Sequence, residues 1–255
     1  MRVQLSGYAR LTAPHRGIVL ESCRAAIESI LASETLYDFA ARQTAAKQFK
    51  GRATVYAINL GEGCGDVVIR RSMRGGALAR LNTDLFLPPT RGLREMVTSL
   101  RLREAGVQTP EMVGFIVYRA GPLFRRTDVV TREVKDAADL VSALERDSGA
   151  ERRRGMLEAT AQLVTALSRE GAHHSDLNLR NILVSGNDAP EAPQIQAYVL
   201  DVDRIRFHFP GDPVVLSANI ARLVRSIRKL RARGELKIED AEIETLRLRA
   251  TELAG

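Results

Sequence analysis

The chain has no tryptophan, and only 5% of its 255 residues are aromatic. So few flat faces argue against a platform on which the bases of a single-stranded nucleic acid could stack. Cysteine is nearly absent as well. Cys23 and Cys64 form no Cys-x-x-Cys, and the four histidines make no cluster at ligand spacing. Neither a disulfide framework nor structural zinc is therefore expected, and a reducing compartment is the natural home. No apolar run approaches the ~18 residues that span a bilayer. The opening stretch MRVQLSGYARLTAPHRG also lacks the continuous apolar segment of a secretory leader. A cytoplasmic protein that meets a membrane only at its surface is the expectation.

What the chain has in excess is positive charge. Lys and Arg number 38 against 31 Asp and Glu, a net +7, and most of the cations are arginine. That balance suits an anionic partner, and the forked guanidinium suits phosphate in particular. A solvated, merely soluble surface is the plainer account of the same excess. The 45% hydrophobic and 27% charged fractions are those of an ordinary globular protein. The length fits a compact enzyme of two lobes.

Along the chain, residues 22–49 read as one Ala-rich helix. From Gly51 the texture changes. Residues 53–60 and 67–70 are strand-like around the turn Gly61-Glu62-Gly63-Cys64-Gly65-Asp66, which makes a hairpin. Residues 91–105 form an amphipathic helix ended by Gly106, and 112–119 and 126–134 are two more strands. Beyond about residue 131 the pattern turns helical, over 136–147, 151–170 and 216–233. Two short apolar runs at 181–184 and 197–200 flank a polar loop as a second hairpin. The expected division is 1–131, with an extra N-terminal helix, and 132–255.

The chemistry concentrates around that second hairpin. Residues 173–184 read HHSDLNLRNILV, and residues 199–204 read VLDVDR. His174 and Asp176 make a His-x-Asp, and four residues separate Asp176 from Asn181. Asp201 ends the following strand. Phosphoryl transfer requires such parts in such an order: a carboxylate that orients the acceptor hydroxyl and takes its proton, then an amide oxygen and a second carboxylate that hold Mg²⁺ against the phosphates. Asp176 is thus the candidate base, and Asn181 and Asp201 are the candidate metal ligands. The competing account has Asp176 capping a helix and His174 as a satisfied core histidine.

With these residues in view, the chain resembles the lipopolysaccharide kinases, specifically the 3-deoxy-D-manno-octulosonic acid (Kdo) kinases of the wider protein-kinase-like fold. That family shows a His-x-Asp-Leu-Asn-x-x-Asn loop and an Asp-Phe-Asp-Arg segment, which stands here as Asp201-Val202-Asp203-Arg204. Gly51-Arg52-Ala53-Thr54-Val55-Tyr56 is similar to its phosphate-loop strand, and Arg74-Gly75-Gly76 to its Arg-Gly-Gly turn. Arg94-Glu95, Thr109-Pro110 and Asn219-Ile220-Ala221-Arg222-Leu223 extend the likeness over about residues 50–230.

The resemblance implies an α+β, two-lobed fold with a small antiparallel-sheet N-lobe for the nucleotide and a mainly helical catalytic C-lobe. It implies ATP and Mg²⁺, with Gly51 and Arg52 at the phosphates. Arg70 stands where kinases keep a phosphate-pairing Lys, with Glu95 as its partner, and His174 joins the catalytic set. The backbone around Thr131, Glu133 and Val134 is expected to meet adenine. The implied acceptor is an anionic sugar on a lipid anchor at the cytoplasmic face of the inner membrane, with no nucleic-acid partner.

Asn178, two residues after Asp176 where protein kinases carry Lys, favours a glycan or small molecule over a protein acceptor. The basic run Arg222, Arg225, Arg228, Lys229, Arg231 and Arg233 agrees with an anionic bilayer, although a solvated helix face is the commoner cause of such a run. An aminoglycoside- or choline-type phosphotransferase and a non-catalytic kinase-like scaffold are the alternatives.

Overall fold

In the computed structural model, which describes residues 5–50, 54–73, 84–88, 90–146, 149–186 and 195–254, the chain forms two units. The first comprises Met1–Leu100 and Glu111–Glu133. Its elements are β1 (Tyr8–Arg10), β2 (Arg16–Leu20), α1 (Glu21–Leu31), α2 (Leu36–Arg42), β3 (Lys47–Lys50), β4 (Thr54–Asn59), β5 (Asp66–Arg71), α3 (Gly92–Glu104), β6 (Met112–Ala120) and β7 (Phe124–Arg132). The last turn of α3 belongs to the second unit. The strands make one antiparallel sheet in the order β1-β2-β6-β7-β5-β4-β3.

Position in that order explains the sequence pattern. β6 and β7 are interior strands covered on both faces, so their apolar residues run on without alternating. Val130 packs with Ile27 and Leu36 of the α1–α2 side, while its neighbour Val129 packs with Met96 of α3 and Phe115. β5 alternates instead, with Val67 and Ile69 inward. At Gly114 of β6 a side chain would begin 2.4 Å from the Ile18 carbonyl oxygen, so β2 lies this close only against glycine.

Three expectations are corrected here. Residues 22–49 are not one helix. The chain turns at 32–35, where Thr35 caps α2 by accepting from the Asp38 N–H at 3.2 Å, and 47–50 pairs with β4 as an edge strand. Helical periodicity hid a new N-cap signal inside it. Strands β1 and β2 also precede α1, so the N-terminal addition is more than a helix. Finally, Cys23 and Cys64 are bonded to each other, both buried and 41 positions apart in sequence. Packing of α1 against the glycine-rich β4–β5 turn brings them together, which spacing alone could not reveal.

The second unit comprises Arg101–Pro110 and Val134–Gly255. It holds β8 (Ala138–Asp139), α4 (Leu140–Arg146), α5 (Ala150–Arg169), β9 (Ala172–His174), β10 (Ile182–Ser185), β11 (Gln196–Val199), β12 (Ile205–Phe207), α6 (Pro213–Ala232) and α7 (Asp240–Glu252). The helix expected over 136–147 starts later, because Asp139 caps α4 by accepting from the Ser142 N–H at 3.1 Å. α5 is the centre of the unit. Half its residues are buried, on more than one side, because α6, α7 and the small strands all pack on it. β10 and β11 form the expected hairpin, and β9 pairs with β12. Among the described residues no helix is long and apolar enough to cross a membrane.

One buried charge stands out in the first unit. Asp128 of β7 is fully buried and accepts from Arg71 Nε at 3.2 Å and from the Tyr37 N–H at 3.0 Å. Burial raises its carboxyl above the ordinary value, against the opposing pull of Arg71. Arg71→Met should therefore cost about 3–5 kcal/mol by stranding that charge. A raised folded pKa means that the folded state holds the proton more tightly than the unfolded chain. The deficit should accordingly be largest near pH ~8 and narrow toward pH ~5 as Asp128 is neutralised. Urea unfolding at both pH values checks this.

Candidate active site

β9 delivers the chain into the loop that carries Asp176, and a 3-10 turn at Leu179–Asn181 returns it to β10. The loop is held by its own amides. Asn178 Nδ2 and Asn181 Nδ2 each donate to the Asp176 carbonyl oxygen at 2.9 Å, and Asn178 Oδ1 accepts from the Arg180 N–H at 3.0 Å. Asn178, read in the sequence as a mark of acceptor class, therefore has a first duty within the loop. With its nitrogen committed, Asn181 presents its oxygen as the donor for a cation.

The hairpin brings the Asp201 backbone beside that of Asn181. Ile182 pairs with Val199, and the Leu200 N–H donates to the Asn181 carbonyl at 2.9 Å, so Asp201 follows directly on the residue bound to Asn181. Asp201 is exposed and takes a left-handed backbone, φ 51 and ψ 42. That conformation costs a non-glycine residue about 1–2 kcal/mol, and aspartate tolerates it better than most. Backbone strain of this kind at a strand end is a reason to test the position for function.

His174 ties the two halves together. It is fully buried; its Nδ1 accepts from the Asp176 N–H at 3.1 Å, and its Nε2 lies 3.0 Å from the Leu200 carbonyl oxygen. An Nδ1 that accepts leaves the proton on Nε2, which donates to Leu200. Burial holds the imidazole below its ordinary value, so the ring is neutral. His174 is thus a satisfied core histidine whose two bonds join the segments that carry Asp176 and Asp201.

In the sequence, Thr109 and Asn219 enter only through the family likeness, which gives them no role. Asn219 of α6 is fully buried; its Oδ1 accepts from the His174 N–H at 3.1 Å and its Nδ2 donates to the Ala172 carbonyl at 3.1 Å. Ser226, two turns on, accepts from the Leu179 N–H at 3.4 Å. Thr109 donates to the Val199 carbonyl at 2.9 Å. A signal existed for Asn219, which sits on the apolar face of α6 that also carries Leu223, Ile227 and Leu230. A polar side chain on a core stripe must have buried partners.

In the first unit, Arg70 of β5 and Glu95 in the first turn of α3 form an ion pair. Thr131 lies inside β7, between Val68 of β5 and Met112 of β6, so its backbone belongs to the sheet rather than to a ligand. The Glu133 N–H donates to the Asp66 carbonyl at 3.1 Å, and its carboxylate pairs with Lys47 at 3.0 Å. Val134 begins the second unit's segment. Gly51 and Arg52, like Arg74-Gly75-Gly76, lie outside the described residues.

Among the described residues no three His, Cys, Asp or Glu side chains gather as a metal site. The Asn181–Asp201 pair is instead a set of two hard oxygens, which suits Mg²⁺ shared with phosphate oxygens. Residues 39–249 match the lipopolysaccharide kinase (Kdo/WaaP) family. The chain belongs to that family.

Among its curated relatives, a 3-deoxy-D-manno-octulosonic acid kinase of Stenotrophomonas maltophilia (strain R551-3) is 31% identical over 78% of this chain and 75% of its own length. One of Vibrio parahaemolyticus is 29% identical over 70% and 71%. The solved structure of WaaP in complex with acyl carrier protein is similar with a TM-score of 0.53 and 17% identity, covering 89% of this chain and 82% of that one. That likeness supports the mixed α/β architecture. As a lipopolysaccharide kinase family member the chain is an enzyme, a phosphotransferase with an alcohol group as acceptor.

The buried imidazole makes a pH prediction for this enzyme. His174 binds its proton less readily folded than unfolded, so its contribution is complete above the ordinary value of 6.5 and is lost as pH falls below it. His174→Gln, which keeps a donor and an acceptor without titrating, should flatten the fall in melting temperature between pH ~7 and ~5. Asn219→Leu should cost about 2–4 kcal/mol at any pH in that range, by leaving the His174 N–H and the Ala172 carbonyl unpaired. Thermal and urea unfolding of the two variants distinguish these effects.

Proposed function

We propose that this enzyme transfers the terminal phosphate of ATP to a sugar hydroxyl of Kdo on a lipid A precursor, in the inner core of lipopolysaccharide. The observation that carries the reading is the His174 bridge, which holds the Asp176 N–H and the Leu200 carbonyl through one ring and so sets base and metal strand side by side. Asp176 is the base: its carboxylate orients the acceptor hydroxyl and takes the proton as the oxygen attacks phosphorus. The Asn181 amide oxygen and the Asp201 carboxylate hold Mg²⁺. When bound, the ion neutralises charge on the phosphates.

In this reading the units act as the two lobes of a protein-kinase-like enzyme. Arg70, fixed by Glu95, faces the nucleotide phosphates, with Gly51 and Arg52 of the phosphate loop. An arginine can replace the usual lysine there because its guanidinium stays charged and bonds phosphate through two nitrogens. Glu133 and Val134 supply the segment against adenine, now without Thr131. A lipid-anchored acceptor sets the reaction at the cytoplasmic face of the inner membrane, and the curated relatives named as Kdo kinases support the choice of sugar.

Incubating the protein with ATP, Mg²⁺ and a Kdo-bearing lipid A precursor should give phosphate incorporation that falls about 10²–10⁴-fold in Asp176→Ala. Asp201→Asn should lose comparable activity, with partial recovery at raised Mg²⁺. Incorporation that survives Asp176→Ala sinks the assigned base. No transfer to the sugar by a protein that still binds ATP sinks the kinase reading.

A further inference from the structure

Residues 208–212 join β12 to α6, and their backbone is firmly tied. The His208 N–H donates to the Gly171 carbonyl at 2.8 Å, the Gly211 N–H to Arg169 at 2.9 Å, and the Asp212 N–H to Phe209 at 3.2 Å. The Asp212 side chain caps α6 through the Val214 N–H at 2.9 Å. Gly171, at φ +65, lets the two segments close, since a side chain there would meet the His208 and Phe209 carbonyl oxygens at 2.5 and 2.6 Å. Yet this fixed loop displays Phe209 at 85% exposure, beside Val214 at 68% on the first turn of α6. A loop held in this way does not expose an aromatic ring through slackness.

Basic residues lie close to Phe209 along the chain. Arg206 and His208 precede it in sequence. Burial, then the charges of Arg222, His208 and Arg206 among others, holds the His173 imidazole below its ordinary value, which puts these side chains in one neighbourhood. The His173 and His208 rings meet edge-on at 5.8 Å. Arg225, Arg228 and Lys229 continue along the exposed side of α6, and Pro213–Ala232 contains no acidic residue. Among the described residues none of Arg206, Arg222, Arg225, Arg228 and Lys229 is in an ion pair. Arg231 and Arg233, which the sequence grouped with them, are paired with Asp240 and Glu235. The unpaired charge therefore lies toward the Phe209 end.

We propose that the 208–211 loop and the exposed face of α6 seat the enzyme on an anionic bilayer, with Phe209 and Val214 entering the acyl boundary and the arginines meeting lipid phosphates. The inference rests on the reading of a lipid-anchored acceptor and adds where the protein docks. Nucleic acid would use the arginines but has no place for an exposed apolar pair. The distance also fits. In the β9–β12 ribbon Phe207 pairs with Ala172 at one end and Ile205 with His174 at the other. At ~3.3 Å per residue, Asp176 stands roughly 10–15 Å from the docking end, within reach of sugars joined directly to a lipid anchor.

The absence of tryptophan supplies the test. Phe209→Trp creates a single reporter at the insertion point. With phosphatidylethanolamine vesicles containing about 30% phosphatidylglycerol, its emission should shift to the blue and be quenched by acyl-brominated lipid. Phosphatidylcholine vesicles should leave it unchanged. Phe209→Ser should weaken co-sedimentation with the anionic vesicles about tenfold, and Arg222→Glu with Arg225→Glu should abolish it, while melting temperatures stay near that of the parent. Sedimentation without an emission shift, or no sedimentation, overturns the proposal. The measurement needs neither nucleotide nor sugar. A chain that docks without transferring phosphate refutes only the kinase reading, and one that transfers phosphate to detergent-solubilised acceptor without docking refutes only this one.

Discussion

His174 sits at 0% exposure with one ring nitrogen accepting from the Asp176 N–H and the other donating to the Leu200 carbonyl, and the rest of the site takes its position from those two bonds. A neutral imidazole is suited to this work. It supplies one acceptor and one donor in a fixed plane, and burial keeps it from gaining a second proton that would break the Asp176 contact. Asn219 then fixes the strand that carries the ring, by holding the His174 N–H and the Ala172 carbonyl from α6. The ordering runs inward to outward: a core amide holds a strand, the strand holds an imidazole, and the imidazole holds two loops that carry exposed or half-exposed oxygens. Positioning of this kind is what phosphoryl transfer asks of a protein, because the reaction gains from geometry and charge more than from covalent help.

The sequence disclosed those parts of the fold in which side-chain chemistry and chain order coincide. Asp176, Asn181 and Asp201 stood out because phosphoryl transfer demands particular residues at particular intervals, and the hairpin between them was legible from two apolar runs with a polar loop between. The break at 32–35 was harder, since an Ala-rich run keeps helical periodicity across a turn and only Thr35 with Asp38 gives the second start away. β1, β2, β3, β9 and β12 are too short to show a pattern; β1–β3 build on longer neighbours in the large sheet, while β9 and β12 pair with each other. The Cys23–Cys64 bond and the Arg71–Asp128 pair join residues 41 and 57 positions apart. Such meetings follow from packing, which local pattern does not encode.

Arginine is the residue whose meaning changed most between sequence and structure. Read as composition, the 38 basic residues form one field. In space they divide by occupation. Arg71 is taken up by Asp128 and Asp38 and covers the Tyr37 ring at 4.4 Å, and Arg153 and Arg249 bind Glu242 and Glu158 within the second unit. Those arginines are structural, and their net contribution is modest wherever water reaches them. Among the described residues Arg206, Arg222, Arg225, Arg228 and Lys229 are in no ion pair. Whether a carboxylate holds an arginine is thus a distinction that net charge cannot express.

Asp201 shows how the same logic sets conformation against stability. Glycine would take φ 51 at no steric cost, so an aspartate there costs about 1–2 kcal/mol of backbone preference. The surrounding bonds hold it in place: the Arg204 N–H closes on the Asp201 carbonyl at 3.0 Å, and Ser175 grips the Arg204 carbonyl with its hydroxyl at 2.9 Å. That last contact matters, because Ser175 precedes Asp176 as Arg204 follows Asp203. The Asp176 loop and the Asp201 segment are therefore fastened on both sides, through His174 before Asp201 and through Ser175 after it. A strained carboxylate fastened in this way cannot relax away from its partner without unpairing bonds in the β9–β12 ribbon as well.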